Sequence, residues 1–282
     1  MKRSSSSGSS GTNTDADAMS PAALPAIITP ALLSSIRSQP QLPKHTWYFI
    51  AGVTLSVINR PDEIPKVFNQ AINPGNSIPD TNSSSHSSSL LGHDEQLRIA
   101  RRMREALIKM APIAGLPKAI NALYALKSAT PVALQDPPLS FSPTSRPSEV
   151  YDMPSSTILH RGAAYFDKIY GKVAKRVMGQ MDRSGTEDLG LTARLMYGYL
   201  LSNLNVLTGQ ESSFVLIAGL IPQDVNPQLK GHLKGALNHG ATVEEVKAVR
   251  EVVIRICEAS GMNKVGNNVP SGWGWRGEVA NL

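Results

Sequence analysis

The chain of 282 residues contains a single cysteine, Cys257. No intramolecular disulfide can form, and a reducing compartment is expected. Aromatic residues make up only 5% of the sequence, so no aromatic-rich nucleic-acid platform is predicted. The longest apolar run, Phe214–Ile221, is far too short to cross a bilayer, which predicts no membrane partner. Charge of one sign is never blocked. Lys and Arg number 28 against 22 Asp and Glu, for a net charge of +6, but the two signs alternate along the helices. With neither a groove-reading motif nor an RNA-binding signature, no nucleic-acid partner is expected. A Gly-rich phosphate loop is missing. His232 and His239 stand seven apart with no third ligand near them, so neither a cofactor nor a metal is expected. The N-terminus lacks a secretory apolar region, and Asp15 and Asp17 argue against a transit peptide.

What is present is a helical pattern. Hydrophobic residues reach 41%, enough for a packed core. Residues 1–20 are Ser-, Thr- and Gly-rich and read as a disordered tail. Short helices are predicted between Pro21 and Ile36. Lys44–Ile58 reads as a buried helix, Pro61–Ile72 as a helix opening on proline and two acids, and His93–Ala114 as a long amphipathic helix ended by Gly115. A helix follows from Pro117. The Ser-rich stretch 75–92 reads as a flexible insertion and 129–155 as a Pro/Ser-rich linker. Ser156–Gly179 and Leu191–Leu207 are expected to be helical, and the Gly-rich tail 270–282 irregular.

The strongest punctuation lies between Thr208 and Met262. Thr208 with Glu211, and Thr242 with Glu245, are capping boxes before apolar runs. Asn226–Pro227 opens the helix between them and Gly240 closes it. Leu229, His232, Leu233, Ala236 and Leu237 fall on one helical face, so a histidine sits inside an apolar stripe.

The chain also matches itself. REALIKMAPIAGLPKAINAL from Arg104 aligns without gaps on REVVIRICEASGMNKVGNNV from Arg250, sharing Arg, Glu, Ile, Gly, Lys and Asn. Upstream, both halves carry Ala-Gly inside an apolar helix, then a proline, then Ala-Ile-Asn or Ala-Leu-Asn. Two copies of one helical unit are therefore expected, over residues 21–128 and 156–269, packed as a pseudo-symmetric pair.

The pattern Gln228-Leu-x-x-His232-x-x-x-Ala-Leu-x-x-Gly-x-Thr-x-Glu-Glu245, preceded by Glu211, resembles the carboxymuconolactone decarboxylase/alkylhydroperoxidase AhpD family. The resemblance is good over 208–262 and weaker over 44–123. It implies an all-α AhpD-like fold and homo-oligomers. Its peroxidase branch carries C-x-x-C just before the histidine, but those positions here hold Val225 and Gln228. Cys257 has no second thiol to resolve it, which excludes intramolecular dithiol peroxidase chemistry. The decarboxylase branch keeps the histidine, as here. It implies a small-molecule substrate, with His232 as acid/base and Glu211 orienting it. Against this, a buried histidine is commonly a satisfied core residue, and Glu211 is already explained by its capping box. In the first half Val67 takes the place of His232. A non-catalytic scaffold or binding protein is the competing reading. The arginines Arg98, Arg101, Arg102 and Arg104 read as a solvated face before they read as an anion grip. The cytosol is the expected compartment. The alternative is the peroxisome, since Ala280-Asn281-Leu282 matches the small–basic–Leu import tripeptide at two of three positions.

Overall fold

The computed structural model describes residues 24–75, 91–138, 142–268 and 272–282. The class is all-α. The stretch at Lys44, apolar enough to pass for a strand, forms helix α2 (Trp47–Val57), in which every residue from Tyr48 onward is buried. A helix apolar on all sides belongs in the middle of a core. Its counterpart is α10 (Gly209–Leu220), buried from Ser212 to its end. These two pack on each other and are flanked by α4 (His93–Ala114) and α12 (Val243–Ala259). Two shorter helices, α3 (Ile64–Ile72) and α11 (Asn226–Asn238), complete the layers against α2 and α10. Helices α1 (Pro30–Arg37) and α5 (Leu116–Ala129) pack against it from outside, with Ile36, Ala119, Ala122 and Leu126 reaching into the core.

Small residues allow the close approach of α4. A Cβ on Gly52 would sit 2.6 Å from the Met103 methyl, and one on Gly219 would sit 3.1 Å from Ile113 Cγ2. Both expected capping boxes form, with Thr208 and Thr242 as caps. Gly115 and Gly261, aligned by the internal match, both follow a helix with φ of 94° and 86°. Such left-handed conformations suit glycine because it has no Cβ to clash.

The apolar face expected on α4 is buried at Ile99, Met103, Ala106 and Met110. A second, charged face is buried beside it. Arg102, Glu105 and Lys109 recur at helical spacing and are 7%, 2% and 0% exposed. The expected solvated arginine face is therefore corrected: Arg102 points inward, Arg98 is paired with Glu95, and Arg101 and Arg104 share Asp136. Glu105 accepts both guanidinium arms of Arg146. Lys109 donates to the carbonyls of Leu201 and Asn203, each at 2.7 Å. Burial drags its pKa down to about 7, with nearby Glu105 opposing the drop.

Arg146 opens α6 (Arg146–Asp152), so the segment read as a linker contains a pinned helix. Glu149 of α6 holds Arg161 through two hydrogen bonds of 2.9 and 2.8 Å. Further on, the single helix expected over Ser156–Gly179 is broken. α7 (Ser155–Tyr170) stops at Gly171, whose φ is 52°, and α8 (Ala174–Asp182) restarts after one tight turn. The next predicted helix becomes α9 (Asp188–Leu195) running into a π-helical turn, Met196–Leu201, with 203–207 irregular. There α7 crosses the π turn at a glycine contact, since a Cβ on Gly162 would fall 2.5 Å from Gly198 Cα.

The tail expected to be irregular is tied down. β1 (Asn263–Lys264) pairs in parallel with β2 (Gly274–Trp275). The buried Trp275 donates its indole N–H to Ile221 O at 2.8 Å. Arg250 donates to the carbonyls of Val279 and Ala280, and Asn226 accepts from the Ala280 amide. The Ser-rich stretch 75–92 falls almost wholly, and residues 1–20 entirely, outside the described residues.

Removing Arg146 would leave the Glu105 carboxylate buried with only Lys109, 3.9 Å away, to compensate it. Arg146→Ala is expected to cost about 3–5 kcal/mol in urea unfolding. Arg104→Ala, which leaves Arg101 on Asp136, is expected to cost about 1 kcal/mol or less. Equal midpoints for the two variants would refute the staple.

Candidate functional site

Glu211 stands at the third position of α10. Its amide donates to Thr208 Oγ1 at 3.2 Å, and its Oε2 accepts from the Thr208 amide at 3.0 Å. The rest of the carboxylate is taken by Arg102, through Oε1 at 2.5 Å and Oε2 at 3.2 Å. Arg102 also donates to Tyr48 Oη at 2.9 Å and to the His45 carbonyl at 3.1 Å. Burial alone would raise the Glu211 pKa, but the guanidinium outweighs it and holds the carboxyl below its ordinary range.

His232 lies in the middle of α11, 4% exposed, between Leu229 and Leu233. Its Nε2 is 3.4 Å from Tyr170 Oη, while Nδ1 has no hydrogen-bond partner. Burial pushes its pKa down to about 4, leaving a neutral imidazole at pH 7. The expected Glu211–His232 contact is not made. Glu211 is spent on its cap and on Arg102, and burial is the sole cause acting on His232. The two halves of the predicted pair sit in separate networks.

What surrounds His232 is instead aromatic and hydroxylic. Tyr170 meets it edge-on with ring centres 5.8 Å apart, then stacks at 4.5 Å on Phe166. Phe166 meets Tyr197 edge-on at 4.9 Å, and Tyr197 lies 6.4 Å from Tyr165. Tyr165 faces His239 at 5.0 Å. His239 closes α11, where its Nδ1 bonds the Gly235 carbonyl at 3.0 Å and lies 3.4 Å from Ser213 Oγ. A Cβ on Gly209 would fall 2.4 Å from that ring, so only glycine fits over it. Tyr165 Oη and Ser212 Oγ face each other without closing a hydrogen bond.

Four buried polar atoms in this one region lack partners: Tyr165 Oη, Ser212 Oγ, His232 Nδ1 and His239 Nε2. Buried polar groups are nearly always satisfied in native proteins. Three of these groups are neighbours, Tyr165 lying against both His239 and Ser212, while His232 stands about two turns earlier on α11. The π turn that carries Tyr197 is itself a feature frequent at functional sites.

The sequence reached His232 but gave no place to the tyrosines around it. One signal was available. Four of the seven tyrosines, at 165, 170, 197 and 199, fall in one segment of a chain poor in aromatics. Cys257 is buried, and burial pushes its thiol pKa well up, which makes it unreactive. Among the described residues, no group of acidic, His and Cys side chains is arranged to hold a metal ion, and no helix is long and apolar enough to cross a membrane.

Because the folded pKa of His232 lies below the unfolded value, the folded state resists protonation there. Its contribution is intact above about pH 6.5 and is lost as pH falls towards 4, about 3 kcal/mol in all. Acidification through this window is expected to lower the unfolding temperature, and His232→Leu to flatten that dependence. Parallel pH profiles for the two proteins would contradict the burial.

No family model matches the chain. Two curated proteins resemble it over most of their length. "Peroxisomal protein 2" of Saccharomyces cerevisiae is 34% identical over 255 residues, covering 78% of this chain and 90% of the relative. "Peroxisomal protein 2" of Schizosaccharomyces pombe is 35% identical over 221 residues, covering 78% and 89%. At this identity and coverage, the chain belongs to the Peroxisomal protein 2 family.

Proposed function

We propose that this protein is a peroxisomal, AhpD-like small-molecule enzyme of the carboxymuconolactone decarboxylase type, with His232 as its working group. The observation that carries the reading is the buried, neutral His232, whose Nε2 faces the Tyr170 hydroxyl while Nδ1 has no partner. A neutral imidazole with a free Nδ1 accepts or donates a proton without first giving up an ion pair. Glu211 in this reading is a positioning residue at one remove, fixing the start of α10 through Arg102. The same proposal includes two AhpD-like units in one chain and association of chains into homo-oligomers. The matched glycines at Gly115 and Gly261 support the two units. So do Arg104 and Arg250, each of which holds a segment some thirty residues downstream, at Asp136 and at Val279–Ala280.

The relatives' name supports the peroxisome over the cytosol. The terminal tripeptide keeps Asn281 and Leu282 exposed, although Ala280 is buried and held by Arg250. A fluorescent fusion with a free C-terminus is expected to give punctate peroxisomal signal, and its loss on deleting the last three residues would identify the address. Diffuse signal from the intact fusion would reject the compartment.

The competing scaffold reading is favoured by one observation. The carboxylate expected to assist His232 is locked in an ion pair that joins α4 to α10, as a structural staple would be. Incubation with a carboxymuconolactone, following CO₂ release, separates the two. The wild type is expected to turn over, and His232→Gln to lose roughly 10²–10⁴-fold in rate with an unchanged fold. No release by the wild type would reject the decarboxylase and leave the scaffold.

A further inference from the structure

A groove of about 330 Å³ runs between α7, α8 and α9, at the lower end of the size range of ligand pockets. Phe166, Tyr197, Ala163, Ala174 and Met178 line it. Its floor presents the rings of Phe166 and Tyr197, set edge-to-face at 80°. The charges around it cancel. Asp182 is bound by both arms of Arg194, at 2.7 and 2.8 Å, and the exposed Asp167 and Lys175 add one charge of each sign at the rim. The lining thus carries no net charge to select an ion, and a flat apolar ligand would find two aromatic rings.

The groove is connected to the buried site. Tyr197 lines it on one side, and its hydroxyl interacts with that of Tyr170. Tyr170 Oη in turn lies 3.4 Å from His232 Nε2. Hydroxyl to hydroxyl to imidazole, the line runs from the open groove to a ring whose other nitrogen is free. Tyr197 stands near the start of the π turn.

We propose that the groove between α7, α8 and α9 binds an uncharged, ring-shaped apolar small molecule, and that Tyr197 and Tyr170 couple its occupancy to His232. The inference rests on reading His232 as the working group, and it is tested by binding alone. Loss of lactone turnover therefore leaves it standing, and its own failure leaves the turnover result untouched.

The probe is 2-naphthol, with 2-naphthoate as its charged analogue, titrated calorimetrically into the full chain. Saturable binding of 2-naphthol in preference to 2-naphthoate is expected. Ala163→Trp, which fills the groove from an exposed position, is expected to weaken binding roughly tenfold or more at an unchanged melting temperature. Met178→Glu, placing a charge in the groove, is expected to do the same and serves if the tryptophan disturbs folding. In NMR spectra the His232 ring signals are expected to move on binding in the wild type. In Tyr170→Phe they should stay still although the probe still binds. Equal affinity for the wild type and both groove variants, a preference for 2-naphthoate, or immobile His232 signals in the saturated wild type would overturn the proposal.

Discussion

The fold is organised by the charged stripe that α4 buries. Three ionisable side chains, Arg102, Glu105 and Lys109, enter the interior from one helix face, and each takes its partner from a different part of the chain. Arg102 reaches Glu211 of α10, Glu105 takes Arg146 from the start of α6, and Lys109 holds the carbonyls that follow the π turn. Charges removed from water are tolerable only when fully paired, so these contacts fix where the three partners must be. An apolar face specifies burial without specifying register. The ionic face adds the register, because an arginine one turn out of place would leave a buried carboxylate alone. The segment after residue 140 is thereby held against α4 even though its own sequence is rich in proline and serine.

The same constraint decides the chemistry near the site. Glu211 is held ionised by Arg102 and capped on Thr208, so its carboxylate is committed to a network that does not include His232. His232 is left among phenol rings and aliphatic side chains, and an imidazole there is neutral. Neutral imidazole is poor at gripping a substrate carboxylate but retains both a donor and an acceptor nitrogen. The cation that a carboxylate substrate would need is not beside it: Lys109 is buried and occupied with two carbonyls. The surroundings of His232 therefore suit a neutral imidazole rather than a member of an ion pair.

Much of the architecture was legible because helix signals are local. The span of α4 follows from its amphipathic period and the glycine after it, and both capping boxes form as Thr-x-x-Glu dictates. The break inside residues 156–179 was not legible, because the turn at Gly171 interrupts a periodicity that continues on either side. Nor was the π turn, whose Gly198 meets Gly162 of α7, 36 residues earlier in the chain. The arginine cluster misled for a related reason. Charge in a sequence reads as exposure unless its partners are visible, and Glu211 lies 109 residues from Arg102. The docked tail was hidden in the same way: its glycines suggested looseness, while Trp275 and Arg250 supply the anchors from afar.

The contrast between matched positions explains why the site lies where it does. Val67, at the place of His232, is fully buried in the main apolar core, and there an imidazole would meet only hydrocarbon. His232 is buried to nearly the same degree, but the wall it faces is α7, which brings Tyr170 and, across Phe166, Tyr197. That wall belongs to a second, smaller hydrophobic cluster built from α7, α8, the π turn and one residue of α10, Leu216. Residues 155–201 contribute nearly all of that cluster, and they fall between the two matched stretches rather than within them. A polar pocket inside a protein needs hydroxyls close enough to share the imidazole's hydrogen bonds. Beside His232 the Tyr170 hydroxyl is such a group, 3.4 Å from Nε2.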